Sequence, residues 1–96
     1  MSVLLLLALA ACMDQERFEQ RYAASSCDLF ADCEAMDTQG FATRQECEAG
    51  ATAIADDCPG FDSKAARACV AAIEAMDCSA LLVTGQPHIC GRICTD

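Results

Sequence analysis

TRQECEAGATAIADDCPG, residues Thr43 to Gly60, is the stretch that decides the fold. Thr43 and Glu46 form a T-x-x-E capping box, in which each side chain satisfies a backbone N–H left open at a helix start. Behind it Cys47, Ala51, Ile54, Ala55 and Cys58 recur at i, i+4, i+7, i+8 and i+11, which is one apolar face of a helix. Pro59 and Gly60 stop it. Cys47 and Cys58 then lie about 16 Å apart along one axis, too far to join each other. Each must reach a cysteine elsewhere, so the sequence describes helices fastened to one another by sulfur.

Working outward, the same pattern repeats on both sides. A helix begins at Asp62 or Ser63, with Ala65, Cys69, Ala72, Ile73 and Met76 at helical spacing. A first helix runs from about Gln15 to Met36 on the stripe Phe18, Tyr22, Leu29, Cys33 and Met36, with a break possible where Ser25 and Asp28 offer a second box. Residues 37–42 make a turn. Ser79 caps a short helix through Leu81, Leu82 and Val83, ended by Gly85. Pro87 opens a last helical turn in which Ile89 faces Ile93 and Cys90 faces Cys94. Phe41 and Phe61 each precede a helix start, without a matching cysteine register. The expected class is all-α: a small disulfide-stapled bundle of three main helices plus short C-terminal helical turns.

Composition explains why staples are needed. The chain has 96 residues, 9 of them cysteines, with five aromatic residues and no tryptophan. A chain of that size holds one domain with a thin core, and small domains recruit covalent help. Six Lys and Arg against fifteen Asp and Glu leave a net charge of −9. That balance excludes a nucleic-acid partner, which needs a basic footprint, and electrostatic attraction to anionic lipid.

The N-terminus points to export. Val3 to Ala11 is an unbroken apolar run, too short to span a bilayer and placed where a secretory signal sits. Its n-region holds only Met1 and Ser2, so the signal is minimal or its start lies upstream. Two cleavages compete. Ala8-Leu9-Ala10 suits ordinary signal peptidase, with the cut before Ala11. Leu9-Ala10-Ala11-Cys12 resembles the lipobox of bacterial lipoproteins, a family in which the cysteine sulfur receives a diacylglyceryl group, the chain is cut before it and the new amine is acylated, palmitate being one such chain. Cysteine parity favours the second. Lipidation of Cys12 leaves Cys27, Cys33, Cys47, Cys58, Cys69, Cys78, Cys90 and Cys94, an even set that pairs completely, whereas ordinary cleavage leaves one thiol over. Asp14 stands one place beyond the position of the inner-membrane retention aspartate, which Met13 occupies, so the outer membrane is favoured.

The chain therefore divides into a lipoprotein signal peptide (1–11), a lipidated N-terminus with a spacer or frayed first turn (12–24), and a disulfide-stabilised helical domain (25–96). An up-down-up arrangement would place Cys33 opposite Cys47 across a hairpin turn and Cys27 level with Cys69. Cys58 and Cys78 then take Cys90 and Cys94 in either order.

Other chemistry reads weakly. Only Cys90 and Cys94 approach zinc-knuckle spacing, and His88 is the sole histidine, so no metal and no cofactor is expected. Asp28, Asp32 and Glu34, like Asp56 with Asp57, read as solvated helix faces rather than a catalytic pair. His88 lacks a nucleophile in context, Ser25, Ser26, Ser63 and Ser79 read as caps, and Arg92 reads as a local ion pair. No catalytic residue is assigned.

The lipobox at Cys12, the Cys27-x₅-Cys33 start and the ending Cys69, Ala71, Ala72, Met76, Cys78, Leu81, Gly85, Pro87, Cys90 together resemble small cysteine-rich lipoproteins of myxobacterial type. The resemblance implies an outer-membrane anchor, on the periplasmic face or the cell surface, and a helical fold, with no activity or site residues attached. The expected role is a non-enzymatic, membrane-anchored envelope module acting by protein contact or as structure. The alternative is a secreted inhibitor or toxin-like effector on a rigid disulfide scaffold.

Overall fold

A computed structural model describes residues 13–52 and 58–95. The signal segment, Cys12, Ile54, Ala55, Asp56 and Asp57 lie outside the described residues. Among those described, the protein is a small helical bundle: α1 (Gln15–Asp32), α2 (Arg44–Gly50), α3 (Ser63–Glu74), α4 (Cys78–Thr84) and a 3₁₀ turn η1 (His88–Arg92). A two-residue strand β1 (Gly60–Phe61) pairs antiparallel with β2 (Cys94–Thr95), Phe61 opposite Cys94, and ties the C-terminal segment to the entry of α3. The sequence carries no strand signal there, because two residues are too few to alternate.

Three of the four helices start on an aspartate. Asp14 accepts from the Arg17 N–H, Asp62 from Lys64 and Ala65, and Asp77 from Ala80. Thr43 and Glu46 form the expected reciprocal box at α2. None of the four serines read as caps is one: Ser25 and Ser26 sit inside α1, and Ser63 and Ser79 are already helical. A carboxylate complements the positive end of the helix as well as its open N–H groups, so part of the acidic charge is structural.

Helix α1 starts at Gln15 as expected but departs from expectation at its C-terminal end. The stretch 12–24 is no spacer from Met13 onward: Met13 is buried, Phe18 fully so, and Tyr22 joins them. The helix is continuous through Ser25 and then ends at Asp32, four residues early. The stop is a Schellman turn, with Ala35 N–H bonding the Phe30 carbonyl at 2.7 Å and Glu34 N–H the Ala31 carbonyl at 3.2 Å. Glu34 takes φ 54° in the position where glycine is usual, so the turn has no sequence signature.

The core joins α1, α3 and η1. Phe18, Ala66, Cys69, Val70, Ile73, Cys90 and Ile93 pack together, and the Phe18 ring lies 6.0 Å from that of Phe61 and 5.7 Å from that of Tyr22. Burying a side chain of this size contributes roughly 1.5–3 kcal/mol. Helix α2 is far shorter than expected and turns extended at Ala51. Gly50 is a poor helix residue, and Cys47 is the only residue that Arg44–Gly50 buries. Gly50 has its own reason: a Cβ there would meet the Phe41 ring at 2.8 Å.

Four disulfides use all eight cysteines beyond Cys12: Cys27–Cys47, Cys33–Cys78, Cys58–Cys94 and Cys69–Cys90, with Cα separations of 6.0, 5.4, 5.2 and 4.8 Å. Neither Cys33–Cys47 nor Cys27–Cys69 forms. Because α1 stops early, residues 33–43 form a longer connection that carries the start of α2 back alongside the middle of α1. Arg44 fixes that level, its Nη1 donating to Asp28 at 2.7 Å and its Nη2 to the Ala24 carbonyl at 3.3 Å. Cys47 therefore meets Cys27. Cys33, left at the end of α1, meets Cys78 at the start of α4, which removes Cys78 from Cys90 and Cys94. Cys69 faces η1 instead of α1 and takes Cys90. Cys58–Cys94 is one of the two pairings left open for Cys58.

Candidate functional site

The best-formed concavity is a half-open cleft of about 260 Å³ between α1, the end of α3 and the α4–η1 connection. Tyr22 and Leu29 from α1, Ile73 and Met76 from α3 and its end, Leu81 from α4 and Gln86 from the connection form its main walls. The local sequence builds each wall. Tyr22 and Leu29 stand two turns apart on one face of α1. Leu81 is the only residue α4 buries, and Gly85, with φ 67°, ends α4 and turns the chain so that Gln86 faces back.

Gln86 Nε2 donates to the Tyr22 hydroxyl at 2.6 Å across a separation of 64 residues. Burial raises the pKa of Tyr22 above its ordinary 10.0, partly offset by hydrogen bonding from Gln86 and Ser26. The phenol is thus neutral and positioned as a polar contact. Among the described residues, the lining includes no carboxylate, no histidine, no lysine or arginine and no thiol. In a chain carrying 21 charged side chains, 6 basic and 15 acidic, that is a distinct surface.

A second groove of about 280 Å³ adjoins the first and shares Leu29, Ile73 and Met76 with it as a common ridge. Its other walls are Ser25, Asp28, Asp32 and Glu74. It is acidic where its neighbour is neutral.

The residues singled out by sequence are scattered. Asp28 is held by Arg44, which also donates from Nε to Glu48 at 3.1 Å; these hydrogen bonds, Asp28 first, push the Arg44 pKa further up. Asp32 closes α1, and Glu34 lies just beyond it in the turn. His88 and Arg92 are exposed on η1, away from the cleft walls. Among the described residues, both ion pairs are made by Arg44, and no group of three or more His, Cys, Asp or Glu could hold a metal ion. Also among them, no helix is long and apolar enough to cross a membrane.

Sequence reasoning missed Tyr22 and Gln86 as partners. Tyr22 reads as core from its stripe, and nothing local announces a contact so distant in sequence. No family model, curated protein or solved structure matches the chain.

Proposed function

We propose that the protein is an exported, lipid-anchored module of the bacterial cell envelope that acts by contact with another protein and not by catalysis. The observation that supports this is the use of sulfur. All eight cysteines after Cys12 are joined to one another, which suits an oxidising compartment and sets Cys12 apart as the cysteine of Leu9-Ala10-Ala11-Cys12. Acylation at two positions on one residue anchors a protein stably and requires no basic patch, in keeping with the net charge of −9. A binding role draws on the cleft, whose described walls offer a neutral pocket with polar contacts and, among the described residues, no pair of groups suited to acid–base or nucleophilic work.

The test is intact mass of membrane-extracted protein, alkylated with and without prior reduction. The expected species begins at Cys12, carries acyl mass, takes no label before reduction and eight labels after it. An unmodified N-terminus, or thiols that label without reductant, would overturn the reading. The alternative of a free, rigid inhibitor draws on Leu82 and Val83, which α4 leaves 74% and 83% exposed. Protein recovered from the medium without acyl mass would favour it.

A further inference from the structure

We propose that the paired grooves dock a partner polypeptide through an uncharged apolar side chain set beside a lysine or arginine. The inference deepens the contact role above by naming what the contact recognises, and it rests on that reading.

Two features commit the occupant. The first is that the described residues lining the cleft carry no charge. An ionised group entering between Leu29, Ile73, Met76 and Leu81 would lose hydration and meet no opposite charge on the described walls, whereas a leucine- or methionine-sized group loses only water. Tyr22 and Gln86 stand at the same wall as hydrogen-bonding groups for a backbone amide.

The second is the field next door. The acidic groove gathers the C-terminal ends of both long helices, Asp32 being the last residue of α1 and Glu74 the last of α3. Each of those ends carries the negative pole of its helix, and neither helix has a basic residue in its last turn. Two carboxylates and two helix poles therefore act in one place. Asp28 in the same groove is engaged by Arg44, which leaves Asp32 and Glu74 to face a ligand. Glu74 also borders a shallow groove holding Arg21 and Arg67, which soften its field, so Asp32 carries more of the attraction.

The shared ridge of Leu29, Ile73 and Met76 puts the neutral and acidic subsites side by side. One extended segment can fill both with neighbouring side chains. A net charge of −9 adds long-range attraction for a basic partner.

The protein supplies its own reporter, since Tyr22 is the sole tyrosine and there is no tryptophan. Oxidised full-chain protein, as purified from its host, is titrated with a capped hexapeptide in which leucine precedes lysine. Tyr22 fluorescence and the methyl resonances of Leu29, Ile73 and Met76 are followed. Matched peptides carry glutamate in place of the lysine, or glycine in place of the leucine. The expected result is saturable perturbation of Tyr22 and the ridge methyls by the leucine–lysine peptide, with each control weaker by roughly tenfold or more. Binding should weaken severalfold between about 0.05 M and about 0.5 M salt. Asp32→Asn should lower affinity more than Glu74→Gln; both side chains are exposed, so neither change threatens the fold. Equal binding of the glutamate peptide, shifts confined to other methyls, or no binding at millimolar peptide would overturn the proposal. Because the mass measurement above reads only the anchor and the disulfides, either result stands when the other fails.

Discussion

Helices α1 and α3 bury five residues each, whereas α2 and α4 are seven residues long and bury one apiece, Cys47 and Leu81. The long pair is held by packing, around Phe18, Val70, Ile73 and Ile93. The short pair is held by covalent bonds to α1, α2 through Cys27–Cys47 and α4 through Cys33–Cys78. Isolated helices of seven residues are unstable in water, so sulfur replaces the packing they lack. A small acidic chain with few large apolar residues thereby keeps two extra helices in place.

The sharpest way to break this contrast is to attack the packed half. Phe18→Ala should cost about 3–5 kcal/mol and lower the thermal midpoint of the whole domain, because the cavity opens where α1, β1 and η1 meet. If the midpoint barely moves, the first half of α1 is a spacer after all.

The bridges themselves come next. Loop length alone ranks Cys33–Cys78, with a sequence separation of 45, at about 4 kcal/mol and Cys69–Cys90, with a separation of 21, at about 3.3 kcal/mol. Burial reverses that order. Cys69 and Cys90 lie inside the core, and a Cys69→Ala, Cys90→Ala double variant loses packing as well as the cross-link. It should unfold globally at a lower temperature than a variant lacking Cys33–Cys78, as calorimetry would read.

Cys33→Ala with Cys78→Ala should behave differently. Cys78 is exposed and the other bridges already restrain the chain, so the global midpoint should fall less. The loss should be local: amide exchange across Leu81–Thr84 accelerates toward chain-like rates, and Tyr22 becomes more exposed as Gln86 departs. Uniform destabilisation without local opening would mean that α4 belongs to the core after all.

The smallest effect concerns the turn that separates the two halves. Glu34→Gly relieves a left-handed conformation worth about 1 kcal/mol, offset in part by the greater freedom of glycine in the unfolded chain. Chemical denaturation should show neutral to slightly higher stability. A clear loss would mean that the Glu34 side chain has a role of its own.

These contrasts also mark what could be read in the sequence. The α2 box, the α3 stripe and the Gly85 stop were legible because each depends on residues within one or two turns of one another. The end of α1 was not, since a glutamate occupies the position where glycine would have signalled it. That single omission misplaced α2 by about two turns and with it the expected partners of Cys27, Cys33 and Cys69. The Asp77 cap was overlooked in favour of Ser79, two residues on, whereas Asp62 was one of the two starts read for α3. The cleft was beyond local reading altogether, for its walls come from Tyr22 and Gln86 at opposite ends of the chain.

Met13 is already buried and Asp14 already caps α1, so the described fold reaches to within one residue of Cys12. Consecutive Cα atoms are about 3.8 Å apart, so the anchor proposed on Cys12 would have almost no leash. A protein tethered that closely would lie flush against the bilayer with its orientation set by α1, and would sweep little volume above it. Partners of a protein so anchored would have to meet it at the lipid surface.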